Sequence, residues 1–229
     1  MRTVRCKALR LACWNADGVH GRKLELKHFL SQHCVDICLL SETFLKPHQA
    51  FRLAYYVCHH KDRPTTGSGT ANLVRRGIVH HSLPVPGLNH FEATAVQVIL
   101  ASRPVKILAA YLSPSRPLIG SDLTTCFGGG LLVLMAGDLN AKHVDWNSWL
   151  TTRRGKLLRN YADWNSYLIF WHSNHQPIQP LRYSRCLGHL FDEGRTVPGL
   201  FDFVLCTKLG PHPGTHWHCV SLILSSPTG

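Results

Sequence analysis

The chain has 229 residues, 45% of them hydrophobic, enough for one large α/β domain with a sizeable core. Lys and Arg number 25 against 13 Asp and Glu, and the resulting net charge of +12 favours a polyanionic partner, nucleic acid before an acidic membrane surface. A membrane span is excluded because every apolar run falls far short of roughly 18 residues, and a zinc-ribbon or dithiol redox protein because none of the nine cysteines forms a CxxC pair.

The cysteines sit mostly inside apolar runs, as Cys38 does in VDICLL, and read as thiols of a reducing compartment. No secretory signal is visible, since Arg10 interrupts the apolar stretch before Trp14, so an intracellular protein is expected. Ala8 to Asn15 reads as a first strand ending in the turn Asn15-Ala16-Asp17-Gly18. A helix over Lys23 to His33 follows, with Leu26, Phe29, Leu30 and His33 on one face. Val35 to Ser41 is a second buried strand that releases Glu42 and Thr43 at its end. The middle of the chain predicts β-hairpins from Tyr55–His59, Thr70–Arg75, Gly77–His81, Ala93–Leu100 and Pro104–Leu112. A loop then runs to Gly128-Gly129-Gly130.

The next stretch, LLVLMAGDLNAKH from Leu131 to His143, is an apolar strand that stops at Gly137 and delivers Asp138 and Asn140. A carboxylate and an amide at the exit of a buried strand sit where open α/β sheets place their chemistry. A helix over Thr152 to Trp164 turns Leu157, Leu158, Tyr161 and Ala162 inward and Arg153, Arg154, Lys156 and Arg159 outward. That basic face is an ordinary solvated surface on its own, or a weak phosphate contact beside a phosphodiesterase site; Arg75, Arg76, His80 and His81 form a second such group. Residues 165–200 are the least regular part, before strands at Phe201–Cys206 and His218–Leu224. His143 reads as a loop residue. With no repeat and no linker, residues 1–229 are expected to form a single domain whose part from about 171 to 229 is divergent.

Strand ends thus deliver Asn15, Asp17, Glu42, Tyr111, Asp138, Asn140 and a histidine, with Asp202 inside a late strand. Such a set suits metal-assisted phosphodiester hydrolysis. Hard carboxylate oxygens hold Mg²⁺, a second carboxylate activates water, and amide and imidazole donors meet the charge developing on phosphorus.

The motifs WNADG (Trp14–Gly18), SET (Ser41–Thr43), AAYLSPS (Ala109–Ser115), AGDLNAKH (Ala136–His143) and LFDFVL (Leu200–Leu205), in this order, resemble the exonuclease–endonuclease–phosphatase superfamily of AP endonucleases and pancreatic-type DNases. TANLVRRGIVHHSLPVPG and GDLNAKHVDWNS further resemble the endonuclease domain of jockey-type LINE retrotransposons. The resemblance implies a four-layer α/β sandwich of two face-packed β-sheets flanked by helices. It makes Glu42 the main metal ligand (Mg²⁺, with Mn²⁺ as a substitute), and Asp17 a supporting one. It makes Asn15 and Asn140 phosphate- and water-positioning amides, Tyr111 the active-site tyrosine, Asp138 the group that activates the attacking water, and Asp202 the partner of a catalytic His218. It implies double-stranded DNA as substrate, a nick leaving a 3′-hydroxyl, a fused reverse transcriptase in the intact element, and work in the nucleus.

The family closes with Ser-Asp-His before its last strand, whereas this chain reads Thr215-His216-Trp217-His218. Aligning on His218 puts Trp217 in place of the acid; shifting by one puts His216 there instead. Two alternatives accompany the nuclease: a catalytically impaired domain that binds DNA without cutting it, and a phosphatase of the same fold acting on a small phosphorylated substrate.

Overall fold

The computed structural model describes residues 9–46, 49–61, 68–100, 103–146, 148–170, 203–206 and 217–222. Its elements follow in the order β1 (Leu9–Asn15), α1 (Lys23–Gln32), β2 (Ile37–Ser41), β3 (Tyr56–His60), β4 (Thr70–Arg75), β5 (His80–Leu83), β6 (Glu92–Leu100) and β7 (Arg103–Tyr111). Then come α2 (Gly120–Phe127), β8 (Leu132–Asp138), α3 (Arg153–Asn165), β9 (Leu168–Phe170), β10 (Phe203–Cys206) and β11 (Trp217–Leu222). Among the described residues the strands form two mixed sheets, ordered β11-β1-β2-β4-β3 and β5-β6-β7-β8-β10-β9. Asp202 and His216 lie outside the described residues.

Because successive side chains on a strand point to opposite faces, each sheet has an inner and an outer stripe, and three cores result. Leu11, Cys13, Ile37, Leu39 and Val74 of the first sheet meet Val96, Val98, Val105, Ile107 and Ala136 of the second. On the outer face of the first sheet, Ala12, Trp14, Cys38, Leu40 and Leu73 pack against Leu26, Phe29 and Leu30 of α1. On the outer face of the second, Leu108, Ala110, Val133 and Met135 pack against Leu123, Cys126 and Phe127 of α2 and Leu158 of α3. The layers are therefore helix, sheet, sheet, helix, as the family resemblance implied.

Several elements differ from the sequence reading. The stretch Gly77–His81 is not one strand: Ile78 N donates to Arg75 O (2.9 Å), so the chain turns out of β4 and enters the other sheet only at His80. β8 continues through Gly137 to Asp138, and β9 falls in a region expected to be irregular. α2 replaces the loop expected before Gly128, where GSDLTTCF is rich in weak helix formers. Packing of Leu123, Cys126 and Phe127 at i, i+3 and i+4 holds it instead. Cys13, Cys38 and Cys126 are buried and Cys34 is exposed, and these four and Cys58 are free thiols. No helix among the described residues is long and apolar enough to cross a membrane.

Asp122 of α2 is 1% exposed, yet its carboxylate accepts from Asn89 N, Asn89 Nδ2, His90 N and Phe91 N at 2.8–3.0 Å. Burial pushes its pKa up, but these donors outweigh burial and leave it below the usual carboxylate value. A depressed native pKa contributes stability that is complete above the unfolded-state value near about 4 and is lost as pH falls through the native one. Asp122→Ala is expected to cost about 3 kcal/mol or more, since three backbone N–H groups lose their acceptor. In Asp122→Asn the acid limb of a stability–pH curve should flatten; an unchanged limb in urea melts would refute the assignment.

Candidate active site

Toward one end of the sandwich the inner stripes change from apolar to polar. β4 runs Val74, Asn72, Thr70 along its inner face, and β6 runs Val98, Val96, Thr94, Glu92. Thr70 Oγ1 and Thr94 Oγ1 are 2.8 Å apart, Asn72 Nδ2 donates to Thr94 O (2.8 Å), and Glu92 Oε2 accepts from Gly69 N (2.7 Å). Glu92 pairs with Tyr111 in the β6–β7 ladder, and Tyr111 with Asp138 in the β7–β8 ladder. The polar layer therefore continues directly into the predicted residues.

Asn15 stands at the centre. Its Nδ2 donates to Glu42 Oε1 at 2.9 Å and to Asp138 Oδ2 at 3.0 Å, while its Oδ1 accepts from Asp17 N at 3.3 Å. Both amide protons are thus spent on drawing together two carboxylates from different sheets. Asp138 is fully buried; its Oδ1 accepts from Asn140 N (2.9 Å), and its backbone oxygen accepts from Leu112 N (2.9 Å). Asn140 sits in the left-handed region (φ 48°), and its Nδ2 donates to Leu112 O at 3.0 Å. One Nδ2 proton remains for another acceptor. Tyr111 is 4% exposed and hydrogen-bonded to Glu42. Burial first, then the charges of Glu42, Asp138 and Glu92, raise its pKa well above the ordinary phenol value, so it stays a neutral donor.

Glu42 is itself held in a left-handed conformation (φ 51°), as is Phe44 (φ 54°). Such residues each cost on the order of 1–3 kcal/mol and persist only where the surroundings over-determine them. Here Gly18 N and Val19 N donate to Glu42 O and Thr43 O, while Thr43 N and Phe44 N donate to Gly69 O and Ser68 O. The segment leaving β2 is stitched from both sides, which points Glu42 at Asn15.

The other predicted residues are placed differently. Asp17 (φ 42°) carries its carboxylate toward solvent, in an ion pair with Arg22 at 3.2 Å. His218 lies on β11, level with Cys13, and Trp217 is level with Trp14, next to the end of β1 that bears Asn15. On α3, Arg154 donates to the backbone oxygens of Pro114 and Arg116, and Arg159 pairs with Asp163 (2.9 Å) and Asp145 (3.2 Å). Those two cations serve the fold's own loops; Arg153 and Lys156 are exposed. His143 accepts from Asp145 N through Nδ1 (3.1 Å) and packs on Trp146, a loop role. Sequence reasoning missed Thr70, Asn72, Glu92 and Thr94, whose signal was present: polar residues on the same alternate positions as Val74, Val96 and Val98.

Residues 12–220 match the Endonuclease/Exonuclease/phosphatase family. The chain belongs to that family. Among curated relatives, the RNA-directed DNA polymerases of mobile element jockey from Drosophila melanogaster and Drosophila funebris are each 29% identical over 164 residues. The match takes in 70% of this chain and 18% of each of those proteins, so the chain spans less than a fifth of their length. Among solved structures of this fold, the endonuclease domain of TRAS1, a telomere-specific non-LTR retrotransposon, superposes with a TM-score of 0.56 at 19% identity, covering 69% of this chain and 72% of that one. An AP endonuclease from Leishmania major gives 0.50 at 12% identity, covering 69% and 66%. These neighbours share the family's sandwich of two mixed sheets.

Proposed function

We propose that this family member is a Mg²⁺-dependent endonuclease that nicks double-stranded DNA and leaves a 3′-hydroxyl, as the target-site nuclease of a jockey-like retrotransposon acting in the nucleus, where a fused reverse transcriptase would extend the nick. The observation that carries the reading is the single amide of Asn15 bonded to both Glu42 and Asp138 at the polar end of a chain with net charge +12.

The donor set fits Mg²⁺, which takes one or two protein carboxylates and keeps several waters. Glu42 would hold the ion, with Asp17 joining on release from Arg22. When bound, Mg²⁺ would neutralise charge on a phosphate oxygen and on the leaving oxygen. Asp138, whose two oxygens accept from Asn15 Nδ2 and from Asn140 N, would orient a water and take its proton as oxygen bonds to phosphorus. Neutral Tyr111 holds Glu42 through its one O–H, the second Nδ2 proton of Asn140 would supply a donor to the phosphate, and His218, positioned by Asp202, would add another. The 3′ oxygen departs and is protonated. A supercoiled plasmid with Mg²⁺ tests this: conversion to open circles, abolished by EDTA, is expected, and intact plasmid with measurable DNA binding would overturn it.

The impaired, DNA-binding alternative rests on one observation, that the residue at 217, paired in register with Trp14 of the strand bearing Asn15, is Trp where the family has an acid. Trp217→Asp is then expected to raise nicking at least about 10-fold while leaving DNA affinity within about 2-fold, since one lost member of a cooperative site accounts for orders of magnitude in rate. Gel-shift and nicking assays on the same preparation check it; a variant no faster than the parent would remove this reading.

A further inference from the structure

Away from this site, the outer edges of the two sheets are joined by a pair of imidazoles. β3 is the last strand of one sheet and β5 that of the other. His59 Nε2 lies 2.9 Å from His80 Nε2, with the rings near perpendicular at 88°. His80 Nδ1 is 2.7 Å from Ile78 O. A carbonyl only accepts, so Nδ1 carries His80's proton and its Nε2 presents a lone pair toward His59. An outer N–H anchored on a backbone carbonyl with the inner nitrogen free is how metal-ligating histidines are held. Burial, then the repulsion that two charged rings side by side would suffer, lower the pKa of His59 and disfavour its charged form.

A second observation lies beside the pair. Asn72 is the cross-strand partner of His59 in the β3–β4 ladder, so the two occupy one face. Asn72 is fully buried, its Nδ2 is spent on Thr94 O, and its buried Oδ1 has no hydrogen-bond partner among the described residues. An oxygen acceptor without a partner is costly in the interior.

We propose that His59 and His80 form a binding site for a borderline transition-metal dication of the Zn²⁺ or Ni²⁺ class, with Asn72 Oδ1 as the neighbouring oxygen, direct or through water. Imidazole nitrogen selects such ions over Mg²⁺, so the site is chemically distinct from the pair Glu42 and Asp138. Two nitrogens on a tetrahedral ion at about 2.0–2.1 Å stand about 3.3 Å apart. The nitrogens need to separate by a few tenths of an ångström from their 2.9 Å contact, and the rings to turn so that both lone pairs meet at the ion. His59 keeps one proton by transferring it from Nε2 to Nδ1, so no net proton is released while both rings are neutral. The ion replaces a single hydrogen bond between the sheet edges with two coordination bonds and stabilises the folded chain by mass action.

Thermal melts of the metal-stripped full chain near neutral pH test it. Zn²⁺ should raise Tm saturably and Mg²⁺ should not reproduce the rise. His59→Gln and His80→Gln should each abolish it, and His81→Gln should retain it. Should a glutamine variant fail to fold, diethyl pyrocarbonate labelling of the parent gives the same answer: Zn²⁺ should protect His59 and His80 together while His81 stays reactive. No saturable rise, an equal rise in His80→Gln, or unprotected His59 and His80 would overturn the proposal, the metal then binding the chain's other histidines adventitiously or not at all.

Discussion

Asp138→Asn is expected to lower plasmid nicking by about 10²–10⁴-fold, the range for loss of a general acid–base group. The substitution keeps the shape of a side chain that is fully buried, so the sandwich should survive it. Its Oδ1 can still accept from Asn140 N, and what is lost is specific: Asn15 Nδ2 would face an amide donor in place of a carboxylate oxygen 3.0 Å away. The carboxylate that takes the water's proton disappears with it. A matched circular dichroism spectrum and Tm, with DNA affinity near the parent's, would assign the loss to chemistry. Nicking by Asp138→Asn at the parent rate would mean that the Asn15–Glu42–Asp138 cluster is not the reacting centre.

The same cluster shows what could be read from the chain and what could not. Glu42 and Asp138 were legible because each follows a run of apolar residues, and a charged group there has no packing role. Asn15 was legible as a strand-end amide, but its bridging of two carboxylates was not, because 123 residues separate it from Asp138 and only the pairing of two sheets brings them together. The resemblance makes Asp17 a supporting ligand; its left-handed backbone and Arg22 turn the carboxylate to solvent in this structure. Arg154 and Arg159 looked like free cations on a helix face because sequence cannot show that the loop at Pro114–Arg116 and Asp145 return to meet them. The strands were legible in their apolar runs, and the layered fold only through the family resemblance that the motifs carry. α2 escaped because tertiary packing and a buried aspartate, not propensity, hold it.

Gly137 ties the fold to the site directly, and Gly137→Ala is expected to damage stability heavily. A Cβ built there would lie 1.7 Å from Ala110 O and 2.7 Å from Ala110 C, both backbone atoms of the neighbouring β7. A flexible side chain could move aside, but this carbonyl belongs to the parallel β7–β8 ladder, in which Ala110 is level with Gly137 and Tyr111 with Asp138. Relief requires opening the ladder at the point that aligns two site residues. Overpacking of this kind typically costs 1–3 kcal/mol and more where backbone must move, so about 3 kcal/mol or more is expected. For a chain of this length that lowers Tm by roughly 10 °C. Asp138 should shift as well, and nicking below the new Tm should fall beyond what the folded fraction explains. Ala136→Gly, one residue earlier, removes a methyl group and should cost only about 1 kcal/mol. A Tm for Gly137→Ala no lower than that of Ala136→Gly would show that the strands separate here at little cost. The glycine of the Gly-Asp-Leu-Asn motif would then owe its place to something other than this close approach.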